Sequence, residues 1–135
     1  MGSRQGAELL STQDEPTVFD QIGEDGFASL VAAFYYRIPT DPILAPLYAE
    51  EEFDGAEQRL RDFLVFRFGG PPRYIEQRGH PALRMRHATF PITQAARDRW
   101  VELMEAAFNE AQLPSDAQRS LRTFFDEAAT FLINC

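Results

Sequence analysis

The chain contains no lysine at all, two histidines and a single cysteine among its 135 residues. Each shortage removes a class of chemistry. All 13 basic residues are Arg against 21 acidic ones, a net charge of -8, so a nucleic-acid partner would lack its usual basic footprint. The one cysteine, Cys135, is the last residue, which excludes an internal disulfide and any CxxC site and suits a reducing, cytoplasmic setting. The longest apolar stretch, Phe27 to Tyr36, falls short of the roughly 18 residues that a membrane span needs. The opening residues lack an apolar signal core, and Gly6 breaks the myristoylation pattern, so a soluble, unanchored protein is expected. No HExxH, GxSxG, P-loop or dinucleotide fingerprint occurs, which leaves most hydrolase and nucleotide chemistry without apparatus.

What is abundant is phenylalanine, 12 residues of it. Such a core consists either of aromatic rings packed on one another or of rings around a flat ligand. Length and composition allow one domain. Residues 1–16 are polar and aperiodic and read as a flexible arm, with residues 17–135 forming the folded unit.

Helical periodicity runs through that unit. Phe19 and Ile22 suit one short turn before Gly23, and Phe27, Leu30, Val31, Phe34 and Tyr35 then recur at helical spacing. Asp41 and Pro42 suit the start of a short turn carrying Ile43, Leu44, Leu47 and Tyr48. Asp54 to Glu57 has the form of a capping box for a helix with Ala56, Leu60, Phe63 and Leu64 on one face, closed by Gly69-Gly70-Pro71-Pro72. The stretch from there to Gly79 has no strong period and reads as an irregular loop with Tyr74 and Ile75 inward. A short helix follows from Pro81 to about His87. After Pro91-Ile92-Thr93 comes a helix with Trp100, Met104, Ala107 and Phe108 on one face, and Ser115 to Gln118 forms a second capping box for the last helix. The expected fold class is all-α, with four principal helices, short ones between, and no strands.

Two patterns bear on chemistry. From Glu57 to His87 there are seven Arg against Glu57, Asp62 and Glu76, a local +4 that suits either a bound anion or a solvated helix face. Tyr35, Tyr48 and Trp100 each bring a donor to an apolar face, where an unpaired donor costs on the order of 1–3 kcal/mol. Their acceptors are backbone carbonyls or a buried ligand carrying negative charge. His87, ending a short helix, can give one ring N–H to a carbonyl one turn back and offer the other nitrogen to a metal, although a lone histidine on an amphipathic helix is more often a core residue. His80, between Gly79 and Pro81, reads as a loop histidine.

The run Gly79-His-Pro-Ala-Leu-Arg-Met-Arg-His87-Ala, with Arg97-Asp-Arg-Trp100, the Phe34-Tyr35 pair, Leu47-Tyr48, Gly55-Ala-Glu-Gln-Arg-Leu60 and Gly69-Gly-Pro71, resembles the group II truncated haemoglobins of bacteria. The resemblance extends from about Thr17 to Asn134. It implies a two-over-two helical sandwich around haem b, iron protoporphyrin IX, with His87 as the proximal metal ligand. It also implies a distal site of Tyr35, Tyr48 and Trp100, with Ala56 where larger globins have a histidine. Leu60, Phe63, Phe90, Ile92 and Met104 would line the porphyrin, and Arg59, Tyr74, Arg86 and His80 would meet its propionates. Phe68 stands where many relatives have Trp.

Oxygen or another diatomic gas is then the expected ligand. Donors aimed at a partly negative ligand are worth roughly 1.5–3 kcal/mol each, which predicts tight binding and slow release, with Trp100 and a tyrosine as the main donors. Slow release suits sensing or redox chemistry better than oxygen transport. The enzyme alternative is peroxide reduction or nitric oxide detoxification, which would need an external reductase. A haem-free helical interaction module is the third reading. Either a monomer or a homodimer is compatible with the sequence.

Overall fold

The computed structural model describes residues 16–48, 53–87 and 91–134, without the side chains of Phe53, Asp54, Arg84 and Arg86. The expected arm, Phe90, Cys135 and the side chain of Arg86 therefore lie outside the described residues, Pro16 of the arm excepted.

Helix α1, Val18–Tyr36, begins in a true capping box: the Thr17 hydroxyl accepts the Asp20 N–H at 2.9 Å, and the Asp20 carboxylate accepts the Thr17 N–H at 2.9 Å. Gly23 interrupts it with φ 68°, so the expected short turn and the long helix are two pieces joined at a glycine kink. A 3₁₀ turn at Ala45–Leu47 follows, then α2 at Phe53–Arg67, α3 at Arg73–Arg78, α4 at Leu83–Arg86, α5 at Gln94–Ala111 and α6 at Ser115–Phe131. No strand occurs among the described residues.

Three local expectations are corrected. Helix α2 starts at Phe53, so Asp54 lies inside it and is not its cap. The stretch expected as a loop after Pro72 contains the six-residue helix α3; one and a half turns are too short to show a period, and burial of Tyr74 decides its conformation. Ser115 does not cap α6. Pro114 is the N-cap residue, and Gln118 reaches back past it to donate to the Leu113 carbonyl at 2.8 Å.

Helix α1 packs on both α2 and α5, and α5 packs on α6, giving two helix pairs laid over one another. Phe27, Phe34, Phe108, Leu30, Leu64, Met104 and Leu121 are fully buried between them. Each such side chain contributes roughly 1.5–3 kcal/mol by leaving water. The aromatic count is explained largely by ring-on-ring packing. Phe68 fills its corner between Phe27 at 6.3 Å and Phe124 at 5.3 Å, with the Arg67 guanidinium 5.1 Å from the Phe68 ring centre. The double glycine makes this corner possible: a Cβ on Gly69 would lie 2.7 Å from the Thr17 side chain, and one on Gly70 would lie 2.6 Å from Val65. The start of α1 thereby sits directly on the end of α2, joined by the Phe19 N–H to the Phe68 carbonyl at 3.0 Å.

Candidate functional site

Successive residues on a helix point about 100° apart. Tyr35 is accordingly buried at the end of α1, while its neighbour Tyr36 is 81% exposed. Tyr48 is the residue that ends the 3₁₀ turn, and Trp100 lies in the second turn of α5. The fold brings these three together. The Tyr35 and Tyr48 rings meet edge-on at 5.8 Å, and Phe34 packs between Tyr35 at 5.1 Å and Trp100 at 4.9 Å.

Their polar ends form one hydrogen-bonded group: the Tyr35 and Tyr48 hydroxyls share a hydrogen bond, and the Trp100 indole, which can only donate, gives its N–H to the Tyr48 oxygen. Burial, reinforced by Tyr48, pushes the Tyr35 phenol well above its ordinary value. Burial also raises Tyr48, but its hydrogen bonds with Tyr35 and Trp100 and the Arg59 charge work against it. Arg59 acts on both phenols although its side chain is solvent-exposed. Ala56 and Phe63 are buried along α2 and Leu60 is half-buried beside them.

His87 is the C-cap of α4. The Leu83 carbonyl accepts its backbone N–H at 3.1 Å and lies 2.7 Å from its ring Nδ1. A carbonyl only accepts, so Nδ1 carries the proton and the lone pair of the neutral ring is on Nε2. Metal-ligating histidines hold their tautomer in the same way. Among the described residues no group of three or more His, Cys, Asp or Glu could hold a metal ion. A single histidine suits a metal whose other ligands arrive with it.

The arginine-rich segment is divided among several tasks. Arg73 pairs with Glu24 at 2.6 Å and approaches the buried Asp62 at 3.9 Å; Arg67 lies on Phe68 and Phe124; Arg78 lies 6.0 Å from the Tyr74 ring centre. Much of the +4 therefore serves the fold. Tyr74 is buried edge-on against Phe63 at 5.5 Å. His80 is exposed and its Nδ1 accepts the Ala82 N–H at 3.1 Å, shaping the entry to α4. The Ile92 carbonyl accepts the Asn134 backbone N–H at 2.9 Å and the Ile92 N–H donates to the Asn134 side-chain Oδ1 at 2.9 Å, while Met104 is buried in α5, beside Phe108 and Phe125 at the groove with α6.

One relationship escaped the sequence reading. Arg99 Nε donates to Asp41 Oδ1 at 2.5 Å, tying α5 to the turn before Tyr48. Asp41 was legible as a cap and Arg99 stands in the quoted motif, but nothing local pairs them.

A family model described as bacterial-like globin matches residues 17–134. The group 2 truncated hemoglobin 3-1 of Lotus japonicus is 36% identical over 123 residues, 89% of this chain and 73% of its own length. Two crystal structures superpose closely. A hemoglobin of Chloroflexus aurantiacus is 44% identical with a TM-score of 0.86, covering 90% of this chain and 100% of its own. The truncated oxygen-avid haemoglobin of Bacillus subtilis is 32% identical with a TM-score of 0.83, covering 87% and 99%.

The chain belongs to the group II truncated haemoglobins.

Membership supplies the two-over-two fold and a haem-based gas-binding chemistry. The residues of this truncated globin fit that group: a histidine with its Nδ1 proton engaged, apolar side chains on α2, and hydrogen-bond donors gathered on three other elements. No described helix is long and apolar enough to cross a membrane.

Proposed function

We propose that this truncated globin binds oxygen or another diatomic gas tightly, with His87 as the residue that would hold the iron of haem b. Haem supplies the iron to which the gas coordinates. The chain's own residues orient it and govern escape. His87, held by Leu83, would hold the iron through Nε2; Leu60, Phe63, Phe90, Ile92 and Met104 would exclude water around the porphyrin, and Arg59, Tyr74, Arg86 and His80 would meet the propionates. Ala56 would leave room for the gas. Tyr35, Tyr48 and Trp100 stabilise the negative charge that a bound gas draws.

The observation that carries this reading is the meeting of Tyr35, Tyr48 and Trp100, from α1, the 3₁₀ turn and α5, in one hydrogen-bonded group. Indole N–H can only donate, and a ligand entering beside Tyr48 offers it a charge-assisted bond. A solved relative is described as oxygen-avid, which agrees with strong donors at a distal site. The test is the oxygen release rate of Trp100→Phe. Release about tenfold to a hundredfold faster is expected from one such bond; an unchanged rate removes the indole from the role.

A further inference from the structure

The three donors belong to three elements, and their separation must be fixed by something other than the bonds they share. Asp41, 3% exposed, stands where those elements meet. Its backbone continues the end of α1: the Ile38 N–H donates to the Tyr35 carbonyl at 3.2 Å, and the Asp41 N–H to the Ile38 carbonyl at 3.0 Å. The Asp41 carbonyl accepts the Ala45 N–H at 3.0 Å, and the Ala45 carbonyl accepts the Tyr48 N–H at 3.1 Å. Its Oδ2 holds the turn between them by accepting Leu44 N–H at 2.9 Å and Ile43 N–H at 3.1 Å. Its Oδ1 takes Arg99 Nε, one residue before Trp100.

We propose that Asp41, through Arg99, is the positioning residue of the distal site, fixing Trp100 against Tyr48 and Tyr35. The role rests on the reading that these three face the bound gas. Burial alone would raise the Asp41 carboxyl, but Arg99 and the two amides hold it below its ordinary value, so it stays charged and keeps the guanidinium. A buried carboxylate without its cation is costly, which makes the pair act as one unit. Arg99 also meets Glu102 at 2.9 Å, but that partner is solvent-exposed and holds no turn.

Asp41→Asn keeps the cap acceptor and the shape while removing the charge. In the haem-loaded protein the Trp100 indole proton should exchange with solvent about tenfold faster, and oxygen release should rise about tenfold, the loss of one well-placed bond. The infrared stretch of bound carbon monoxide should spread over several bands. Glu102→Gln should leave all three unchanged. Should Asp41→Asn fail to fold, Arg99→Lys, which keeps the charge and loses the guanidinium fork, is expected to move the same readouts in the same direction. Unchanged indole exchange and an undivided carbon monoxide band in the folded variant would overturn the proposal. If Trp100→Phe leaves oxygen release unaltered, the gas-facing reading fails, while indole exchange in Asp41→Asn still decides the positioning role.

Discussion

The Tyr48 oxygen receives the Trp100 indole and shares a hydrogen bond with the Tyr35 hydroxyl. Tyr48 is thus the common partner, and the two tyrosines are not equivalent. Tyr48→Phe leaves both the Tyr35 hydroxyl and the Trp100 indole without that partner, each loss costing about 1–3 kcal/mol, whereas Tyr35→Phe breaks one bond and leaves the Trp100 bond intact. Denaturant titration of the haem-loaded variants should show Tyr48→Phe less stable than Tyr35→Phe by about 2 kcal/mol. Equal losses would mean that Tyr48 is not the common partner of Tyr35 and Trp100.

The same pair sets an alkaline limit. Both phenols are raised above the free value of about 10, so the folded state holds their protons more tightly than the unfolded chain does. Their contribution to stability is complete below about pH 10 and is lost as pH rises through the raised folded values. Stability followed from neutral to strongly alkaline pH should therefore fall above about pH 10, and fall less steeply in Tyr35→Phe. An identical slope in that variant would show that Tyr35 does not titrate late.

His87→Gly removes the nitrogen held in place by Leu83 and leaves a gap into which free imidazole fits. The variant should lose the histidine-ligated spectrum and regain it on addition of imidazole. Retention of the original axial coordination without imidazole would assign the iron to another residue.

Two glycines with positive φ separate strain from crowding. Gly23, φ 68°, has nothing within 4 Å of an added Cβ, so Gly23→Ala should cost only the backbone penalty, roughly 1–2 kcal/mol. Gly69, φ 105°, would drive its Cβ to 2.7 Å from Thr17, adding an overpacking cost of about 1–3 kcal/mol. Thermal or denaturant unfolding should rank Gly69→Ala clearly below Gly23→Ala; the opposite order would mean that α1 and α2 do not meet closely at this corner.

The sequence by itself determined the long helices, because a period of 3.6 residues is a local property that Phe27, Leu30, Val31, Phe34 and Tyr35 display without reference to the rest of the chain. It also determined the break at Gly69-Gly70-Pro71 and that His87 could bond a carbonyl one turn back, since each depends on neighbours within one turn; the choice of Tyr35 over Tyr36 drew on the family resemblance as well as on the period, and the structure identified the carbonyl as that of Leu83. Helix α3 was not legible, being too short for its period to register. The start of α6 was misread because Pro114, Ser115 and Gln118 offer competing local bonds, and packing selects among them. Only the tertiary structure decided where the arginines go: Arg73 to Glu24 and Asp62, Arg67 to the Phe68 corner, Arg99 to Asp41. The same holds for the meeting of Tyr35, Tyr48 and Trp100. Each was recognisable as a donor on an apolar face, but their convergence depends on how α1, the 3₁₀ turn and α5 pack, and on the buried Asp41 that joins them. Burial makes each donor demand a partner; only the packing of distant segments says which one it finds.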